Sequence, residues 1–103
     1  MEFGIQFFPD VGTETKSGAE YWGDCLHLSG LADECGFTSI RTVEHYGQSY
    51  GGYSPNPHVF LAAAAMRSKK ARLVTGAVLP IFNNPLKIAG EIGMLDAISD
   101  GRM

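Results

Sequence analysis

A carboxylate and an imidazole stand next to each other in this sequence, at Glu44 and His45. They follow Ile40–Val43, whose β-branched residues predict a strand that ends near them. In α/β sheets and barrels the ligand lies at the carboxyl ends of the strands. An imidazole held there can exchange a proton or a hydrogen bond with a polarised ligand atom. We therefore take His45 and Glu44 as candidate catalytic residues.

Other interpretations of this pair compete on the same residues. A metal site needs further ligands, but His27 and His58 are placed on different helices, and the sequence has no HxH or HExxH motif, so no metal is predicted. A hydrolase triad lacks its GxSxG turn. A purely structural role, in which Glu44 pairs with a cation such as Arg41 and His45 bonds a backbone group, stays open on the residues alone.

A loop rich in glycine and aromatic residues, Gly47–Ser54, follows the candidate pair. It is too flexible to be core and too aromatic to be a plain linker. Such a loop could fold over a flat ligand, and we expect it to border the substrate pocket.

Three strand–helix units are predicted to position these residues. Strand and helix patterns alternate along the chain, which favours an α/β fold with parallel strands and right-handed crossovers. Ser17, Asn56 and Asn84 are predicted N-caps, and proline follows each asparagine. Strands are predicted over 2–8, 37–43 and 71–79, helices over 18–35, 57–68 and 85–100, and the start of a fourth strand at 102–103.

Helical spacing also predicts which side chains face inward. The two cysteines fall on one predicted helix about 15 Å apart, beyond disulfide reach, so both are expected to be buried thiols. Trp22 is expected to pack the first helix against its neighbours and not to stack on a cofactor. The inward positions are Trp22, Cys25, Leu28 or Ser29, Ala32 and Cys35 on the first helix, and Ile88, Ile92, Leu95 and Ser99 on the third.

Composition limits the classes of protein to consider. The chain has 103 residues, of which 45% are hydrophobic and 18% charged, and a net charge of -3, which fits a single globular unit. The one basic cluster, Lys69–Arg72, is expected to be a solvated turn, so no nucleic-acid partner is predicted. No leader pattern and no membrane-length apolar run is present. We expect a cytoplasmic protein without a membrane partner.

Six short motifs share the order and spacing of one known family. The sequence resembles the bacterial luciferase-like flavin monooxygenases. The resemblance implies that residues 1–103 are the first three βα units of a TIM (β/α)8 barrel, truncated before strand 4, since such barrels are typically about 250 residues long. The motifs are Glu44-His45, Ser54–Pro57, Gly76–Pro80, Asn84-Pro85, Leu95-Asp96 and Ser99–Arg102.

The resemblance implies an enzyme that uses reduced FMN and dioxygen to oxidise a small organic substrate such as an aldehyde. His45 matches the family's active-site histidine. Thr75, Gly76 and Ala77 match the end of strand 3 that approaches the flavin ring, where the family often has a non-proline cis peptide. A flavin reductase is a candidate further partner, and a homo- or hetero-oligomer is expected.

The sequence departs from the family pattern at two places, and each limits which family properties can be expected of it. An acidic residue usually follows Ala89, but here Gly90 follows and Glu91 comes one position late, which puts a buried polar contact in doubt. Tyr46 stands where the light-emitting branch has a second histidine. This argues for a relative with another substrate.

Two rival functions remain on sequence grounds. One is hydride transfer with an 8-hydroxy-5-deazaflavin coenzyme, because that branch shares the barrel and similar strand ends. The other is a non-catalytic accessory unit that binds a partner. The 103-residue chain by itself is expected to be inactive and to bind FMN weakly, because the phosphate usually sits on loops after strands 7 and 8. Its apolar third strand, with Leu73, Val74 and Val78, is expected to pair with another chain.

Overall fold

The computed structural model describes residues 1–47 and 52–103. Strands and helices alternate along the chain, and the three strands form one parallel sheet in the order β1-β2-β3. The predicted α/β fold with its βα repeats is confirmed. The elements are β1 (Gly4–Phe7), α1 (Gly18–Leu31), β2 (Ser39–Thr42), α2 (Pro57–Arg67), β3 (Arg72–Thr75), a single 3₁₀ turn (Pro80–Phe82) and α3 (Pro85–Ile98).

The strand register brings the carboxyl ends of all three strands together. Phe7 pairs with Thr42, and Thr42 pairs with Thr75. The third strand was predicted to run on to Leu79, and this was wrong. The Gly76 amide still donates to the Thr42 carbonyl and ends the ladder, whereas the Leu79 amide donates to the Glu44 side chain. The chain therefore turns across the strand ends.

Each α-helix begins at the predicted cap. The Ser17 hydroxyl accepts from the Glu20 amide, and the Glu20 carboxylate accepts from the Ser17 amide, so that α1 starts with a complete capping box. The side chains of Asn56 and Asn84 accept amide hydrogen bonds in the first turns of α2 and α3. Side-chain oxygens therefore satisfy the first free amides of all three helices.

The core lies between one face of the sheet and the helices. Ile40 and Leu61 are fully buried there, and Ala64 has no exposed surface, which lets α2 lie close to the strands. The Trp22 ring lies 4.8 Å from the Phe60 ring, so Trp22 packs α1 against α2, as predicted. We call this side of the sheet the covered face and the opposite side the open face.

The end of α1 differs from the prediction. The helix stops at Leu31, and Gly36 takes a left-handed φ of 77°. The Phe37 amide reaches back to the Ala32 carbonyl and closes the turn. Cys35 lies in this turn and is exposed, so its assignment as a buried thiol was wrong, whereas Cys25 is buried.

The inward positions otherwise follow the predicted spacing. Ser29 has no exposed surface, while Leu28 is 47% exposed, which settles the choice between them. On α3, Leu95 and Ser99 are buried. Beyond α3, the Leu73 amide donates to the Arg102 carbonyl at 2.7 Å, but no strand forms at Arg102.

Candidate functional site

Glu44 and His45 are adjacent in sequence but lie on opposite sides of the sheet. Ile40, Thr42 and Glu44 are all buried, whereas Arg41 is exposed and His45 is half-buried. Side chains alternate between the two faces of a strand, and this alternation continues past the end of β2. The carboxylate therefore points to the covered face and the imidazole to the open face.

The Glu44 carboxylate is held by three donors. The Leu79 amide donates to Oε2 at 2.6 Å, the Asn83 side-chain amide donates to Oε1 at 2.7 Å, and the Tyr46 hydroxyl also donates to Oε1. None of them is Arg41, so the pair with a cation that the structural alternative allowed is not formed. Burial acts to raise the pKa of Glu44, but the hydrogen bonds outweigh it and hold the pKa below its usual value.

The same contacts fix the short 3₁₀ turn after β3. The Asn83 amide also donates to the Leu79 carbonyl at 2.9 Å, so residues on both sides of the turn are tied to one carboxylate. The Tyr46 ring packs edge-on to the Phe82 ring at 5.2 Å. The loop after β2 and the loop after β3 are thereby joined.

His45 sits at the open face, close to the end of β1. Its backbone amide donates to the Ser54 carbonyl at 2.8 Å, and its ring lies 6.0 Å from the Phe8 ring in an edge-to-face arrangement. The backbone hydrogen bond fixes the position of His45 in the chain, and the Phe8 ring, just after β1, packs against its half-buried imidazole. Its position at the strand ends is the one predicted.

Thr75, Gly76 and Ala77 follow β3 at the same end of the sheet. The Gly76 amide donates to the Thr42 carbonyl, and a Cβ at Gly76 would lie 2.7 Å from that oxygen. Only glycine fits here, where the chain after β3 passes close to the backbone at the end of β2. Thr75 and Gly76 are half-buried and Ala77 is exposed. The residues that the structure describes contain no cis peptide bond.

The loop after β2 is anchored where it rejoins the sheet. The buried Ser54 hydroxyl donates to the Val43 carbonyl at 2.5 Å, and the Tyr53 hydroxyl donates to the Lys16 carbonyl at 2.8 Å. A cleft of about 500 Å³ lies between this loop and the loop after β1, lined by Val11–Glu14, Gly47, Gly52 and Tyr53. Residues 48–51 of the predicted pocket loop lie outside the described residues.

Known proteins share this arrangement of strand ends and loops. The profile of the family described as Luciferase-like monooxygenase matches residues 1–103. The chain belongs to this family. The monooxygenase RslO1 from Streptomyces bottropensis is 58% identical, with a TM-score of 0.96 over 99% of this chain and 31% of that one.

Three further similar proteins bear on the choice of coenzyme. The oxygenase component of the flavin-dependent trigonelline monooxygenase of Acinetobacter baylyi is 32% identical across 100% of this chain and 28% of its own length. The oxygenating constituent of 3,6-diketocamphane monooxygenase from Pseudomonas putida, solved with FMN, is 31% identical, with a TM-score of 0.88 over 99% of this chain and 28% of that one. The coenzyme F420-dependent tetrahydromethanopterin reductase of Methanopyrus kandleri is 31% identical, with a TM-score of 0.74 over 98% and 25%. This chain thus spans less than a third of each.

The strand ends of this luciferase-like chain fit a flat flavin ring. Ala77 is exposed and carries only a methyl group, so a planar group can approach it closely, whereas the side-chain side of Gly76 is filled by Thr42. Phe8 and His45 form an edge-to-face ring pair at the same end of the sheet. Within the described ranges no three His, Cys, Asp or Glu residues are grouped as metal ligands, and no helix is long and apolar enough to span a membrane.

One polar pair was missed by sequence reasoning. His58 Nδ1 on α2 lies 2.9 Å from Glu91 Oε2 on α3, and the His58 residue is only 7% exposed. His58 Nε2 is buried without a hydrogen-bond partner. Glu91 therefore makes a partly buried contact despite its late position in the motif. The contact joins two helices, so spacing within either helix carried no signal for it.

Proposed function

We propose that this chain forms the first part of a flavin-dependent monooxygenase that uses reduced FMN and dioxygen to oxidise a small organic substrate such as an aldehyde. One observation carries the proposal. The half-buried imidazole of His45 lies at the same end of the sheet as Gly76 and the exposed Ala77. The FMN bound to the diketocamphane relative supports the choice of coenzyme.

Each candidate residue has a separate role in this proposal. Reduced FMN, when bound, supplies the two electrons that let one oxygen atom enter the substrate while the other leaves as water. Thr75, Gly76 and Ala77 flank its ring. His45 donates a hydrogen bond to the reacting atoms or takes a proton from them. Glu44 points away from this face, which argues against the direct catalytic role expected from the sequence.

The second candidate is hydride transfer with a deazaflavin coenzyme. It is favoured by the likeness to the F420-dependent reductase, which covers nearly the whole chain. A deazaflavin ring has the same flat shape and needs the same access to the strand ends. The two functions differ in their need for oxygen.

The experiment uses a protein in which these 103 residues continue into a complete barrel, called here the complete-barrel protein. It is assayed with reduced FMN and with reduced deazaflavin, each in air and without oxygen, against a panel of aldehydes and cyclic ketones. We expect turnover only with reduced FMN in air. Oxygen-independent turnover with deazaflavin would replace the monooxygenase proposal, and no turnover with either would favour an accessory role.

A separate reductase is proposed as the source of reduced FMN. The support comes from the diketocamphane relative, which is described as an oxygenating constituent. In the assay above, a flavin reductase with its nicotinamide donor should replace chemically reduced FMN. A protein that reduces its own FMN from the nicotinamide donor would contradict this.

A further inference from the structure

We propose that Glu44 is a positioning residue, whose carboxylate holds the loop formed by residues 76–83 against the loop after β2 and so sets where Gly76 and Ala77 meet the flavin. The proposal rests on the flavin-dependent function proposed above. It assigns Glu44 a role in binding geometry and leaves the reacting atoms to His45.

The direction of the side chain is the first step. Glu44 is 5% exposed and points to the covered face, where helices pack, while the proposed flavin position is on the open face. A carboxylate is a pure acceptor when ionised, and here both of its oxygens already accept hydrogen bonds. A group so engaged is poorly placed to take a proton from a ligand on the other side of the sheet.

The origin of the donors is the second step. Leu79 and Asn83 lie before and after the 3₁₀ turn, and Tyr46 lies on the loop after β2. One carboxylate thus closes both sides of the turn and ties it to the neighbouring loop. The start of the same loop has its own link, from the Gly76 amide to the Thr42 carbonyl.

These two links determine what removal of the carboxylate would do. The Gly76 link is backbone to backbone and survives any change at Glu44. Residues 77–83 would keep only the ring contact between Tyr46 and Phe82 as a link to the neighbouring loop, and they could move about Gly76, which would shift Ala77 at the proposed ring site. A shift of Ala77 would weaken contacts that the flavin makes in the ground state and the transition state alike, so binding suffers more than kcat.

The test compares Glu44→Gln with the double variant Tyr46→Phe/Asn83→Ala in the complete-barrel protein. The Glu44→Gln change keeps the size of the side chain but exchanges one acceptor oxygen for a donor NH₂. The double variant keeps the carboxylate and removes two of its three donors. We expect both to raise the Kd of FMN by about 10- to 100-fold, with kcat at saturating reduced FMN within a few-fold of wild type. The pH profile of kcat should keep its shape in both.

The matched control is Asp33→Asn, the same carboxylate-to-amide change at the opposite end of the sheet. It should leave the Kd of FMN unchanged. Hydrogen exchange of the amides in 76–83, measured without coenzyme, should accelerate in both Glu44-site variants and not in the control. This readout follows the loop itself, so it separates failure of the positioning role from failure of the proposed function.

A reacting carboxylate would give a different pattern. Glu44→Gln would then lower kcat by more than about 100-fold at saturating flavin and remove one limb of its pH profile. The double variant, which keeps the carboxylate, would stay near wild type. That result would overturn the positioning role. If Glu44→Gln does not fold, the double variant decides alone, since unchanged FMN affinity and unchanged exchange in 76–83 would equally refute the proposal.

Discussion

Two carboxylates hold turns at opposite ends of the same sheet. At the amino end, Asp33 accepts from the Ser68 hydroxyl and from three consecutive backbone amides, at Lys69, Lys70 and Ala71. At the carboxyl end, Glu44 accepts from one backbone amide and two side chains. The first arrangement binds the turn that leads from α2 into β3. The second binds two loops that border the candidate site.

The difference lies in what the donors are attached to. The three amides that donate to Asp33 belong to consecutive residues of one turn, so a single displacement of that turn affects all of these contacts. The donors of Glu44 come from two loops and depend on side-chain rotamers, so they can be altered one at a time. In TIM barrels the amino end of the strands serves stability and the carboxyl end carries the chemistry. The same kind of contact therefore serves the fold at one end and, in our proposal, the site at the other.

The largest expected effect is at His45. In the complete-barrel protein, His45→Ala should lower turnover by about 100- to 10,000-fold, because a proton or hydrogen-bond partner of the reacting atoms is lost. The Kd of FMN should stay within a few-fold, and the free energy of unfolding should fall by only about 1 kcal/mol, for the lost ring contact with Phe8. Steady-state kinetics at saturating flavin and oxygen measure the turnover, flavin fluorescence measures the Kd, and denaturant titration measures the free energy of unfolding.

The matched control for this change is His27→Ala, which removes an exposed histidine on α1. It should leave turnover, flavin affinity and unfolding unchanged. If His45→Ala turns over as fast as this control, His45 has only a structural role and the proposed contrast between the two ends fails.

A smaller effect is expected at the amino end. Asp33→Asn should lower the free energy of unfolding by about 2 kcal/mol, because a hydrogen bond to a charged group contributes about 1.5 to 3 kcal/mol and the asparagine has lost that charge. Turnover and flavin affinity should not change. Denaturant titration of the complete-barrel protein measures the free energy of unfolding. A fall in turnover without a fall in stability would break the comparison, since the amino end would then carry function.

The same carboxylate predicts a pH dependence with a definite sign. Burial acts to raise the pKa of Asp33, but the bonds from Lys69, Ser68, Ala71 and Lys70 outweigh it and lower the pKa. A group whose pKa is lower in the folded state stabilises the fold above its unfolded pKa and loses that contribution as the pH falls. The stability difference between wild type and Asp33→Asn should therefore be constant near neutral pH and shrink below about pH 4. A difference that grows on acidification would contradict the assignment.

The sequence predicts those structural features that depend on residues close together in the chain, and it does not predict contacts between residues far apart in the chain. The caps at Ser17, Asn56 and Asn84 depend on neighbouring residues, and each was found where predicted. The faces of β2 were not assigned from the sequence, but strand alternation extended past Thr42 would have separated Glu44 from His45. The contacts of Asp33 and the end of β3 could not be derived in this way, because their partners lie more than 30 residues apart in the chain.

The smallest expected effect tests a polar pair near the carboxyl end that lies among the helices and not on the open face. Glu91→Gln keeps an oxygen that can accept from His58 Nδ1 but removes the charge, so the free energy of unfolding should fall by about 1 kcal/mol or less. The exposed Lys87, which lies 3.7 Å from the other Glu91 oxygen, provides the control variant Lys87→Ala, because it changes the charge near Glu91 without touching His58. If every polar contact near the carboxyl end of the sheet served function, Glu91→Gln would lower turnover. We expect turnover to stay at the wild-type level in both variants, because the His58–Glu91 pair does not reach the open face. Loss of turnover in Glu91→Gln alone would show that the functional region extends into the helix layer through His58.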